Sequence, residues 1–160
     1  MFTKSEDYIN ELVFDHIETY SFRGAGFEPT EYEHPYTIDK NGQFHPQSQK
    51  TNTFQHDHPI AEQIKQLLQI EIEEHLKFLC APVFHDIIVF YDRNHQIVSV
   101  LNVCLSCFQM EVEKIQLKAD YKTYGYLKRL FLELGHEVEN PEYNIIDEVE
   151  ALKLKIKKRK

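Results

Sequence analysis

An α+β domain, with a central antiparallel sheet of hairpins flanked by three to four helices, is the fold this sequence predicts. Three observations carry it. Segments of helical spacing and runs of β-branched and aromatic residues follow one another in the order helix, strand, hairpin, helix, hairpin, helix, helix. Two pairs of extended segments are separated by short turn-forming stretches. Finally, 160 residues is the length of one domain, and 42% apolar with 28% charged residues is an ordinary globular balance. That balance rules out collagen-like, mucin-like and wholly disordered chains. No apolar run approaches the ~20 residues a membrane-spanning helix needs.

Over residues 5–17, Tyr8, Ile9, Leu12, Val13 and Ile17 recur at helical spacing, with Ser5 as N-cap. Glu18 to Phe22 reads as extended, and Arg23-Gly24-Ala25-Gly26 as a turn. In the polar stretch that follows, Tyr36-Thr37-Ile38 and Gln43-Phe44 flank Asn41-Gly42, a hairpin turn signal because both residues tolerate positive φ. Residues 46–58 read as a mobile loop. Pro59 to Phe78 is the clearest helix, with Ile60, Ile64, Leu67, Leu68, Ile72, Leu76 and Leu79 forming its stripe and Pro59 at the first position. Cys80-Ala81-Pro82 ends it.

Ile87 to Tyr91 and Ile97 to Val103, joined by Asp92–Gln96, predict a central hairpin. Met110 to Leu117 predicts one further strand. Tyr121 to Leu134 is a helix capped by Asp120 and stopped by Gly135. A last helix covers Ile145 to Ile156. The chain divides into a domain over 1–152 and a basic tail over 153–160.

Cys104-x-x-Cys107 is the most specific local feature. If the hairpin folds back, residues before Ile87 meet residues after Val103. That brings Cys80 and His85 towards Cys104 and Cys107, a set able to hold zinc tetrahedrally. The same cysteines also fit inert core thiols or a redox pair. A thioredoxin-like site opens a helix after a strand, whereas here the residues beyond the motif look extended. A second group, His45, His56, Asp57 and His58 with His34, could ligate a metal if extended, or simply be a polar loop. GxSxG, HExxH and GxxxxGK[ST] are absent from the sequence.

Lys153, Lys155, Lys157, Lys158, Arg159 and Lys160 hold six of the 18 positive charges. Residues 1–152 are left with 12 positive against 26 negative charges, a balance of −14. Such a body repels a phosphate backbone and attracts basic proteins, so a protein partner is expected and nucleic acid is not. Acids at positions 6 and 7 do not suit a signal peptide, which places the chain in the cytoplasm with its three cysteines reduced. Tyr20, Phe22, Phe27, Tyr32, Tyr36 and Phe44 crowd the N-terminal half, where aromatics serve either a core or an interface.

The stretch Cys80-Ala81-Pro82, the strand ending Phe90-Tyr91-Asp92, the second strand and Cys104-Leu105-Ser106-Cys107 resemble a loose group of small bacterial proteins. The likeness covers roughly 60–136 and departs at Val83-Phe84, where the pattern has a basic residue after the proline. Some members look like immunity or antitoxin partners of secreted toxins. The resemblance implies a fold and no catalytic residue. The expectation is therefore a cytosolic binding protein of immunity type without enzymatic activity, occluding a basic toxin domain. Glu28, Glu31, Glu33, Asp57 and Asp92 would supply field and rim contacts, with Tyr32, Tyr36 and Phe44 as anchors. The alternative is a zinc or thiol-redox protein using Cys80, His85, Cys104 and Cys107.

Overall fold

The computed structural model describes residues 4–22, 36–76 and 80–159. It is an α+β fold. Helix α1 (Ser5–Glu11) leads into strand β1 (His16–Phe22), followed by β2 (Ser48–Gln55) and α2 (Pro59–Leu68). Strands β3 (Asp86–Tyr91), β4 (Ile97–Cys104), β5 (Gln109–Val112) and β6 (Ile115–Leu117) come next. Helices α3 (Tyr121–Glu133) and α4 (Ile145–Lys158) close the chain. The six strands form one sheet in the order β2-β1-β3-β4-β5-β6, with every neighbouring pair antiparallel.

Strand β3 is buried along its whole length, because both faces of the sheet are covered there, while β4 is buried only from Leu101 to Cys104. Ile88, Phe90, Leu101 and Val103 pack under the helices with Ile64, Leu68, Leu127, Leu130 and Phe131. Ile87, Val89 and Tyr91 face the other way, with Phe22 and the half-buried Tyr20, Ile38, Phe44 and Val100. Each fully buried aliphatic or aromatic side chain contributes about 2 kcal/mol by leaving water.

Two turns share one chemistry. Asp39-Lys40-Asn41-Gly42-Gln43 and Asp92-Arg93-Asn94-His95-Gln96 both use the aspartate Oδ1 to accept two backbone N–H groups, at 2.8 and 2.9 Å in each. The first bears out the Asn-Gly turn, with Gly42 at φ +76° and a bridge between Ile38 and Phe44. In the second turn, His95 holds the equivalent left-handed position at φ +59°.

Four boundaries differ from the sequence reading. The first helix ends at Glu11 instead of running to 17, because His16 onward pairs with strands on both sides. Residues 48–55 form β2 where a loop was expected. The expected single strand from Met110 is a hairpin, β5–β6, turning on Glu113 and Lys114 at φ +49° and +65°. That pair of positive angles suits a two-residue turn. Lastly, α2 stops at Leu68, while the expected end at Phe78 lies outside the described residues. The buried Asp120 fixes the chain that follows α2. Its Oδ2 caps α3 at Lys122 N, while Oδ1 accepts the N–H groups of Glu73 and Glu74, both at 2.9 Å. The backbone at 73–74 is thereby held out of a helix.

Helix α3 begins and ends as expected, on Asp120 and on Gly135 at φ +89°. In α4, Asn144 is the cap and Ile145 and Ile146 are buried, while Leu152, Leu154 and Ile156 are exposed. Residues 153–158 of the basic tail are its last turns. No helix among the described residues is long and apolar enough to cross a membrane.

Candidate functional site

The sheet face turned away from the helices carries a groove of about 320 Å³. Val98 and Val100 of β4 form part of its floor, and the turn segment with Tyr36 and Ile38 forms a wall. A bulge between Phe90 and Tyr91 in the β3–β4 register lets Ile97 and Val98, both 39% exposed, remain at the open end. Asp39, Glu113, Lys40 and Lys114 stand around it, two charges of each sign. Asn102 lines the groove from β4, opposite Glu111 of β5. Its Nδ2 donates to the Glu111 carbonyl at 3.4 Å, but its Oδ1, though buried, accepts no hydrogen bond. Buried acceptors are nearly always paired, so this oxygen marks a place suited to a donor.

Of the expected partner contacts, Tyr36 and Phe44 lie on this face. Tyr36 stacks on Phe84 at 5.6 Å, and its hydroxyl donates to Glu111 Oε2 at 2.6 Å. Burial and the Glu111 carboxylate push this phenol up to about 12. Phe44 packs on the Tyr20 ring at 4.8 Å. Asp57 is exposed in the turn between β2 and α2. The Asp92 carboxylate is engaged in its own turn. Glu28, Glu31, Tyr32 and Glu33 lie outside the described residues.

Beneath the same face, the buried Glu18 accepts from Tyr20 OH at 2.9 Å and from Lys50 Nζ at 3.2 Å. Burial alone would raise its pKa, but hydrogen bonds from Tyr91, Tyr20 and Lys50 outweigh that and hold it below the ordinary value.

The hairpin does bring the cysteine segments together. Asp86 pairs with Val103, and Cys80 meets Cys107 with Cα atoms 6.1 Å apart. The two form a disulfide, where three reduced thiols were expected. Cys104 is a buried free cysteine, with Sγ 3.5 Å from Ser106 Oγ. His85 lines a separate cavity on the helical side, and its carbonyl accepts from Phe22 N at 2.7 Å. The expected four-ligand set is therefore not assembled, because two of its sulfurs are bonded to each other. Among the described residues no group of three or more His, Cys, Asp or Glu is placed to hold a metal.

The second histidine group is also dispersed into local roles. His58 Nδ1 accepts from Ile60 N at 3.0 Å and caps α2, and His45 Nδ1 accepts from Gln47 N at 3.1 Å. His56 and Asp57 are exposed, and His34 lies outside the described residues.

Two polar clusters had no sequence signal. His136 Nδ1 meets Asp86 Oδ1 at 2.8 Å, and its Nε2 meets Thr51 Oγ1 at 2.8 Å. Hydroxyl, imidazole and carboxylate stand in the order a nucleophilic triad uses. Thr51, however, is spent on Thr19, meeting its hydroxyl at 2.7 Å and donating to its carbonyl at 3.1 Å. The cluster fastens β2 and β1 to the end of α3. At the far end of the sheet, His16 Nε2 lies 2.9 Å from His95 Nδ1, and both rings stack on Tyr91. A bond between two imidazoles needs one nitrogen to donate and the other to accept.

Comparison with protein-family models, with curated proteins and with solved structures gave no match.

Proposed function

We propose that this protein is a binding module of immunity type, which neutralises a basic protein partner by covering its active surface with the open face of the sheet. The observation that carries the reading is the unpartnered Asn102 Oδ1 in the groove. A lysine or arginine side chain reaching in from a partner would supply the missing donor, and its stem would lie along Val98 and Val100. The acidic body, −14 over residues 1–152, would steer such a partner towards the molecule. Tyr36 offers a rigid aromatic edge of the kind that anchors interfaces.

The test uses a short arginine peptide, its citrulline counterpart, and backbone NMR of the labelled protein. The arginine peptide should shift the amides of Val98, Val100 and Asn102 at low salt, and the uncharged citrulline peptide should shift them far less. Asn102→Leu and Val98→Asp should each abolish the arginine response. Equal shifts from both peptides, or shifts confined to other surfaces, would refute the groove as a receptor for basic chains.

The thiol reading has one observation in its favour. Cys80 is the exposed half of a disulfide whose other half sits beside the buried Cys104. It requires that a thiol reductant open Cys80–Cys107 reversibly in the folded protein. The zinc version requires the reduced protein to take up one metal ion, and elemental mass spectrometry after reduction decides it.

A further inference from the structure

On the helical side of the sheet, a cavity of about 160 Å³ lies between α3, the start of α4 and the turn joining β4 to β5. Leu105, Phe108, Val138 and Ile145 supply apolar wall, and α3 supplies Tyr124 and Lys128. These two stand four residues apart, so they share one face of the helix.

Tyr124 is 2% exposed, yet its hydroxyl has no hydrogen-bond partner. Tyr124 thus lines the cavity while its own hydroxyl stays unsatisfied, a costly arrangement if nothing binds it. Lys128 is also buried. Its ammonium donates to the carbonyls of Asn140 and Tyr143 at 2.7 and 2.6 Å. An ammonium has three donors, so two carbonyls leave one in hand. Burial lowers the Lys128 pKa, with the charge of Glu139 opposing. Of the acidic groups of the wall, Asp86 is held by His136 at 2.8 Å, while Glu139 is exposed and its charge acts on Lys128.

We propose that this cavity is a binding site for a small organic acid, whose carboxylate accepts from the Tyr124 hydroxyl and the Lys128 ammonium while a compact apolar body fills the space between Phe108, Leu105 and Ile145. Charge-assisted hydrogen bonds to a carboxylate are the strong ones, and they would satisfy both α3 groups together. The size is set by the volume, since an apolar cavity of about 150 Å³ admits benzene. The site lies across the sheet from the groove, so the two proposals stand or fall separately.

Benzoate is the probe and benzamide its neutral counterpart. Titrated into the labelled protein at neutral pH, benzoate should give saturable shifts at the amides of Ser106, Gly125 and Val138. Its affinity should exceed that of benzamide by about tenfold. Tyr124→Phe should weaken benzoate by roughly fivefold, leave benzamide unchanged, and leave thermal stability equal or higher, because it deletes an unsatisfied hydroxyl. Lys128→Met should erase the preference for the acid. If that variant does not fold, the Tyr124→Phe result and the benzoate-to-benzamide ratio still decide the matter. Equal affinities for the two probes, no shift at the cavity amides, or a Tyr124→Phe protein that binds benzoate as well as wild type would each overturn the proposal.

Discussion

His136 Nδ1 lies 2.8 Å from Asp86 Oδ1, and the two side chains are 0% and 3% exposed. One belongs to the segment after α3 and the other to the first residue of β3, so the pair ties the helical layer to the sheet. Removing the imidazole strands a buried carboxylate. His136→Ala should therefore cost about 3 kcal/mol in urea denaturation. Thr51→Val removes only the outer hydroxyl of the cluster and should cost about 1 kcal/mol. Equal losses would mean that the buried pair has no special weight.

Glu18 makes stability depend on acid. Its pKa in the folded protein lies below the ordinary value of 4.5, because the hydrogen bonds it accepts outweigh burial. A carboxyl shifted down contributes stability that is complete above the unfolded value and disappears as pH falls through the folded one. Glu18→Gln should cost about 1 kcal/mol at pH 7, and the gap to wild type should close as the pH drops below about 4.5. Denaturation curves collected at neutral and at acid pH measure it, and a gap that widens in acid contradicts the assignment.

The Cys80–Cys107 bond joins residues 27 apart in sequence. Closing a loop of that size stabilises by about 3 kcal/mol, or roughly 10 °C in melting temperature for a chain of this length. Dithiothreitol should lower the wild-type melting temperature by that amount and leave Cys107→Ser unmoved. Three titratable thiols in the unreduced protein, or a melting temperature indifferent to dithiothreitol, would show that the bond does not form.

Gly125 has no room for a side chain. A Cβ there would sit 2.6 Å from Ile146 Cγ1 and 2.9 Å from Asn144 Oδ1, at the point where α4 starts against α3. Alanine gains about 1 kcal/mol of helix propensity over glycine, while overpacking costs about 1–3 kcal/mol. Gly125→Ala should be destabilising on balance. In an Ile146→Ala background, where the Ile146 contacts are gone and only Asn144 Oδ1 remains close, the same change should cost clearly less. Additive effects of the two changes would rule out the contact as the cause.

The central hairpin and α3 were legible because their signals are local. Ile87 to Tyr91 is a continuous apolar run, and Asp120 and Gly135 stand at the helix ends. Strand β2 was not, since Ser48-Gln49-Lys50-Thr51-Asn52-Thr53-Phe54-Gln55 has one large apolar residue and thus no hydrophobic period. It joins the sheet through its backbone and through polar contacts such as Thr51 to Thr19. The end of α2 was hidden for another reason. Ile72 continues the helical pattern, whereas the backbone at 73–74 bonds to Asp120, far along the chain.

The candidate site divides in the same way. Closure of the cysteine segments follows from hairpin geometry, but which two sulfurs join depends on how the turn after Cys104 lies. Tyr36 and Phe44 were visible as part of an aromatic cluster. Asn102 gained meaning only once β5 was placed beside β4. Lys128 carries no signal in the sequence, because its place is set by the carbonyls of Asn140 and Tyr143.

Strand order has a consequence for how the chain is built. β3, β4, β5 and β6 are consecutive and adjacent, so each finds its neighbour across a short turn, and little entropy is lost in closing those loops. β1 can pair early with β2, the next strand along the chain, but its other edge, where His16 pairs with Tyr91, stays open until β3 has been made. The sheet therefore consists of two parts that are each local in sequence, β1–β2 and β3–β6, and the seam between β1 and β3 is the one that joins them. Until that seam closes, the buried-to-be residues of β1, Ile17 and Phe22 among them, are open to any chaperone or neighbouring chain.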